Sequence, residues 1–180
     1  MTVNDVGVSM RFLVSVVLFL SACTGVPKGI EPVENFDLDK YLGTWYEIAR
    51  LDHFFERGLS NVSARYTLAE NGDVVVENRG YSASKNKWKQ AIGKAGFKGE
   101  SDVGHLKVSF FGPFYASYVV FELDDYQQSF VVGNKRKFLW YLSRTRSVSE
   151  SDRQKFLQKA KSMGFNVDDL IWVDQKDPDQ

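Results

Sequence analysis

The chain has 180 residues, 43% of them hydrophobic and 26% charged, with 23 basic against 23 acidic side chains, which excludes the disordered, collagen-like and fibrous classes. Zero formal charge and a pI near 6.7 leave no basic footprint for a phosphate backbone, so no nucleic-acid partner is expected. A single cysteine rules out both a disulfide framework and a cysteine-built zinc site, and one apolar core must supply the stability.

The first predicted element is an export signal. Residues 12–20 form an apolar run behind Arg11, long enough for a signal-peptide core and too short to span a bilayer. Translation from Met10 would give a conventional basic leader, since residues 1–9 add Asp5 and no basic charge. Leu20-Ser21-Ala22-Cys23 resembles the bacterial lipobox, in which small residues precede a thiol that accepts diacylglycerol. That resemblance implies a signal peptide over 1–22 and lipidation of Cys23. Two or three acyl chains would then hold the protein on a membrane at ~0.8 kcal/mol per buried methylene. Thr24 follows the cysteine, and the resemblance to lipoproteins lacking Asp there implies sorting to a bacterial outer membrane. Residues 23–35, with Pro27, Gly29 and Pro32, read as a lipidated tether able to extend roughly 40 Å, ahead of a folded domain over 36–180.

From residue 43 the chain reads as strands. Apolar and polar residues alternate over Gly43–Leu51, Asn61–Leu68, Val74–Tyr81, Trp88–Phe97, Leu106–Phe111, Tyr115–Leu123, Ser129–Val132 and Phe138–Thr145. In the second, Val62, Ala64, Tyr66 and Leu68 face one way and Asn61, Ser63, Arg65 and Thr67 the other. In the sixth, Val119, Phe121 and Leu123 compete with Tyr118 and Val120 for the inside. Asn71-Gly72 is a type I′ hairpin signal, and Asp124-Asp125 and Gly133-Asn134 are further turn clusters. A helix follows: Ser147-Val148-Ser149-Glu150 offers a capping box, and Phe156, Leu157, Ala160 and Met163 recur at helical spacing until Gly164. A short strand over Leu170–Val173 ends the pattern. Eight short-connected antiparallel strands are best accommodated by closure. The expected fold is therefore all-β, an eight-stranded up-and-down barrel with one C-terminal α-helix on its wall.

Gly43-Thr44-Trp45-Tyr46, Leu123-Asp124-Asp125-Tyr126 and Leu142-Ser143-Arg144-Thr145 resemble, in order and spacing, the three motifs of the lipocalin family. Phe110-Phe111-Gly112-Pro113-Phe114 and Leu139-Trp140-Tyr141, behind a lipobox, are most similar to the bacterial, Blc-like outer-membrane lipoproteins. Apolipoprotein D is a more distant likeness. The resemblance implies that Gly43, Trp45 and Arg144 close one end of the barrel, with the guanidinium stacked on the indole, a pairing worth ~0.5–2 kcal/mol.

The ligand site is then the barrel interior. The dry faces of the strands offer Tyr66, Val76, Asn78, Leu106, Phe110, Tyr118 and Trp140, and the resemblance adds Tyr41. Alternate loops of an up-and-down barrel share an end. One end, the mouth, thus gathers Arg57, Lys85, Lys87, Lys135, Arg136 and Lys137 against Asp52 and Glu56, while the other is acidic. Phe54, Phe55, Phe111 and Phe114 stand beside the basic loops and would touch a bilayer or form a homodimer contact.

No Gly-X-Ser-X-Gly elbow, phosphate-binding glycine loop or His-Glu-X-X-His occurs. His53 and His105 read as solvated or capping residues, so neither catalysis nor a metal or cofactor is expected. The resemblance implies a membrane-anchored binder of a fatty acid or lysophospholipid, storing or carrying it for envelope maintenance under stress. The alternative is a structural or assembly lipoprotein that acts through its surface without a ligand.

Overall fold

The structure, a computed structural model, describes residues 24–176. The predicted signal peptide and Cys23 lie outside the described residues. A four-residue helix α1 (Leu38–Tyr41) leads into β1 (Gly43–Leu51), β2 (Leu59–Leu68), β3 (Val74–Ser82), β4 (Lys87–Phe97), β5 (His105–Phe111), β6 (Phe114–Asp124), β7 (Gln128–Val132) and β8 (Leu139–Ser143). Helix α2 (Glu150–Ser162) and a short strand β9 (Leu170–Trp172) follow. Each of the eight strands pairs antiparallel with the next, and β1 pairs with both β8 and β2, which closes the barrel.

Closure depends on β1 changing partners. Its first residues, Gly43 to Tyr46, pair with Tyr66 to Ser63 of β2, and beyond them β9 takes over the same edge, Ala49 opposite Trp172. Gln175 bridges the parting strands, its amide donating to the carbonyls of Glu47 and Val62 at 2.8 Å each. An edge that would otherwise present unpaired backbone groups is covered in this way.

Alternation sorts side chains into two cores. Tyr66, Val76, Leu106, Val120, Val131 and Leu142 are packed inside the barrel. Ile48, Val119, Phe121, Phe130, Val132 and Tyr141 lie outside it, with Phe156 and Ala160 of α2 packed on them. The sixth strand is thereby settled: Tyr118 and Val120 face in, Val119 and Phe121 face out, and a register shift between Val120 and Glu122 returns Leu123 to the interior.

Three local expectations are corrected. The α2 N-cap is Ser149, which accepts from Asp152 N, and not Ser147; a cap two residues later lets Phe156 and Ala160 face the wall. The β2–β3 connection is not type I′, because Gly72 has φ +83° while Asn71 does not share the left-handed region. Asn71 instead accepts Asp73 N with its side chain, an Asx turn that leaves room for a five-residue loop. Finally, residues 24–35 do not extend as a tether. Ile30 is buried, Val33 N donates to Val120 O and accepts Gly104 N through its carbonyl, both at 2.8 Å, and Phe36 N donates to Asp102 O at 2.7 Å. Apolar Ile30 and Val33 find a wall to cover, and that burial outweighs the freedom of an extended chain.

Candidate functional site

The lower end of the barrel is closed by α1 and the start of β1. Asp37 caps α1 by accepting Asp39 N. The fully buried Trp45 donates its indole N–H to Tyr41 O at 2.8 Å. Arg144 lies across that indole, 3.8 Å from guanidinium carbon to ring centroid. Its donors reach four carbonyls: Tyr126 at 3.1 Å, Thr44 at 3.0 Å, Lys40 at 2.7 Å and Tyr41 at 3.2 Å. Gly43 has φ +96°, a backbone conformation that side chains rarely adopt, so glycine serves the turn into β1.

Above this floor the lumen is lined by the residues expected from alternation, together with Tyr41, which the resemblance added. Tyr41, Tyr66, Val76 and Leu106 are buried, whereas Asn78, Phe110, Tyr118 and Trp140, from mid-height upward, are half-buried. The interior therefore grades from packed floor to accessible mouth. Tyr118 Oη lies 2.7 Å from Tyr41 Oη and 2.9 Å from Tyr66 Oη, and Tyr41 Oη is 3.0 Å from Ser129 Oγ. Burial pushes the Tyr41 phenol up to about 12 and raises those of Tyr66 and Tyr118 well above the ordinary value, so all three remain neutral hydroxyls that can donate or accept. Phe110 rests on Gly93, where a Cβ would meet its ring at 2.7 Å and Ser109 O at 2.6 Å.

Residues 36–175 match the Lipocalin-like domain family. The chain belongs to the lipocalin family. It is 51% identical to the outer membrane lipoprotein Blc of Vibrio cholerae over 92% of this chain and 98% of that protein. Identity to the outer membrane lipoprotein Blc of Escherichia coli K12 is 49%, over 83% of this chain and 85% of that protein. A weaker likeness, 41% over 43% of this chain and 40% of that protein, extends to mouse apolipoprotein D. Insecticyanin from the tobacco hornworm superposes with a TM-score of 0.68 at 20% identity, over 83% of this chain and 86% of that one, a likeness of fold.

The mouth of this lipocalin differs from the loop-charge expectation in three side chains. Arg57 forms a two-pronged pair with Asp52, the shortest contact 2.6 Å. Arg136 turns away to the outer wall, donating to Met163 O at the end of α2 and to Lys28 O. Glu56 is buried and points inward. Lys85, Lys87, Lys135 and Lys137 remain as exposed cations. A further cation, the half-buried Lys89, was not anticipated: the register puts it opposite Gly80 on the inner face shared with Val76 and Asn78. The mouth phenylalanines are solvent-facing, Phe54 at 80%, Phe55 at 47%, Phe111 at 80% and Phe114 at 70% exposure.

Sequence reasoning also missed a buried polar cluster beside Trp140. A β-bulge at Ile48 breaks the alternation of β1, so Glu47 and Arg50, three residues apart, both face in. Arg50 Nη1 donates to Glu47 Oε1 at 2.6 Å and Nη2 to Glu56 O at 3.0 Å. Glu56 Oε2 accepts Trp140 Nε1 at 3.0 Å and lies 2.9 Å from His53 Nε2. Burial, then the neighbouring Glu56, holds the Glu47 carboxyl well above the ordinary range. Burial would raise Glu56 too, but contacts with His53, Trp140 and Glu47 outweigh it and hold Glu56 low. The two neighbouring carboxyls are thus pushed in opposite directions, Glu47 up and Glu56 down. His53 is neither solvated nor a cap: it is buried and stacks on Phe55 with centroids 4.0 Å apart. His105 is half-buried, with Nε2 2.9 Å from Ser117 Oγ. Among the described residues no group of three or more His, Cys, Asp or Glu could hold a metal ion.

Proposed function

We propose that this lipocalin is an outer-membrane lipoprotein, anchored through acyl chains on Cys23, whose barrel binds one single-chain lipid, a fatty acid or lysophospholipid, and stores or carries it for envelope maintenance under stress. The observation that carries this reading is the graded lumen: an aromatic floor sealed by Trp45 and Arg144, half-buried apolar and aromatic walls above it, and lysines with exposed phenylalanines around the opening. An acyl chain gains ~0.8 kcal/mol per methylene in such a wall, and the rim cations suit a carboxylate or phosphate head. The names of the Blc relatives support the membrane assignment.

The docked N-terminal segment adds a geometric consequence. Because Thr24 is buried against the barrel, an anchor at Cys23 would hold the barrel close to the membrane instead of on a long leash. The phenylalanines then serve to touch the bilayer during lipid uptake.

Native mass spectrometry of the purified protein tests the reading. A co-purifying species of a few hundred daltons, identified as a single-chain lipid, is the expected result. A protein that emerges empty and takes up no added fatty acid or lysophospholipid would favour a lipoprotein acting through its surface. A Cys23→Ser chain should leave the membrane fraction or accumulate as uncleaved precursor; a mature-length form still in the outer membrane would sink the anchor.

A further inference from the structure

Four arginines of this chain lie over aromatic rings on the barrel or helix wall, and they differ in what their N–H groups do. Arg144, on Trp45, directs its donors to four carbonyls; it is a closing element with little left for a ligand. Arg146 lies 4.7 Å over Tyr46 and Arg153 lies 4.6 Å over Trp172. Neither makes a side-chain hydrogen bond or ion pair among the described residues. Arg79, 3.9 Å over Trp88, is likewise uncommitted but is exposed on the bare wall of β3.

What separates Arg146 and Arg153 from Arg79 is a cleft of about 420 Å³ that they line together, with Lys176 at its edge. Its apolar surface comes from Ile48, Val148 and Trp172, and its one carboxylate among the described residues is Asp174, whose Oδ1 already accepts Lys176 N at 3.0 Å. The C-terminal segment that covers β1 forms one side, and the turn between β8 and α2 forms the other. Stacking holds each guanidinium plane in place while leaving its N–H edge unpaired. The ordering that usually opposes bidentate oxyanion binding is therefore already made in the fold.

We propose that this cleft is a binding site, separate from the lumen, for an oxyanion of the phosphate type carried beside an apolar group. The guanidinium edges of Arg146 and Arg153 take the oxyanion and the Ile48, Val148 and Trp172 surface takes the adjoining hydrocarbon. A phospholipid headgroup and a soluble phosphate ester share this chemistry. The site does not depend on lumen occupancy.

The test is isothermal titration of the full-length protein in neutral detergent with hexyl phosphate, hexanol and inorganic phosphate, compared with Arg146→Gln/Arg153→Gln and with Arg79→Gln. Hexyl phosphate should bind more tightly than either half alone. The double variant should weaken it by about tenfold or more, and Arg79→Gln should leave it unchanged. Affinity retained in the double variant, or lost equally in Arg79→Gln, overturns the site; inorganic phosphate binding as tightly as hexyl phosphate overturns the apolar half. Should the glutamine pair fail to fold, Arg146→Lys/Arg153→Lys keeps charge and stack while losing the planar fork, and a loss of severalfold is expected; wild-type affinity there overturns the bidentate assignment. Dihexanoyl phosphatidylglycerol separates the sources. Both outcomes support the site: binding of this diester points to a lipid headgroup, and binding of the monoester alone points to a soluble ester.

Discussion

A tryptophan stands at each end of this barrel, and the two meet charge in opposite ways. At the closed end Trp45 lies under a guanidinium whose donors reach four backbone carbonyls, so the cation is fixed by elements that the fold needs anyway. At the mouth Trp140 donates to Glu56, which shares its surroundings with Glu47, Arg50 and His53, and Arg50 Nε and His53 Nδ1 find no partner among the described residues. At the closed end no buried polar atom of Tyr41, Trp45 or Arg144 lacks a partner. The other end keeps a buried, incompletely paired cluster under a loop that bears the exposed Phe54 and Phe55. Polar groups left partly unpaired in low dielectric are costly, and here they sit where the lumen opens.

The contrast can be broken most severely at the mouth. Arg50→Met removes the cation that donates to the Glu47 carboxyl and to the Glu56 backbone carbonyl and breaks this buried pair, so stability should fall by about 3–5 kcal/mol, read from the urea midpoint. An unchanged midpoint would mean that Arg50 is not part of the cluster. Arg144→Ala should cost roughly 1–3 kcal/mol, through lost stacking and packing on Trp45 and the loss of its bonds to the carbonyls, with ligand affinity moving less. Gly93→Ala drives a Cβ into Ser109 O and the Phe110 ring; a loss of about 1–3 kcal/mol should come with weakened lipid binding, since Phe110 must move in the lumen.

The pH dependence sharpens the same contrast. Glu47, raised in the fold by burial and then by Glu56, keeps a proton that the unfolded chain gives up, so its contribution to stability declines as pH rises from the ordinary carboxyl range through its folded value. Glu56, held low by His53, Trp140 and Glu47 against its burial, acts in reverse: its contribution is present above the ordinary carboxyl range and lost as pH falls through its folded value. Urea midpoints across pH should therefore decline on the alkaline side in wild type and decline less in Glu47→Gln. Coincident profiles would show that the Glu47 carboxyl is not raised in the fold.

The smallest effect is expected from the rim. With Lys85, Lys87, Lys135 and Lys137 changed to Gln, the preference for a fatty acid over the alcohol of equal length should drop severalfold at low salt and converge with wild type at high salt, where charges are screened over ~3 Å at 1 M. Trp140 fluorescence reads the titration. Equal affinity of wild type for acid and alcohol at both salt concentrations would leave only the apolar cavity.

Much of this lipocalin is legible in the order of its residues, because period-two alternation and short turns are local properties. The strands agree with the alternation to within two residues at each end, and Gly43, Trp45 and Arg144 stand out as motif residues before any contact is known. Tertiary structure decided what local rules cannot carry. A single bulge at Ile48 puts Glu47 and Arg50 on one face, and pairing register turns Lys89 inward opposite Gly80. The segment before residue 36 chose burial against Gly104 and Val120 over extension. The arginines make the limit plainest: Arg144 and Arg146 are two residues apart, of the same type and each over an aromatic ring, yet only the folded chain brings carbonyls to the first and a cleft to the second. A side chain's chemistry belongs to its residue type, whereas whether its donors are already taken depends on segments distant in sequence that closure of the barrel brings together.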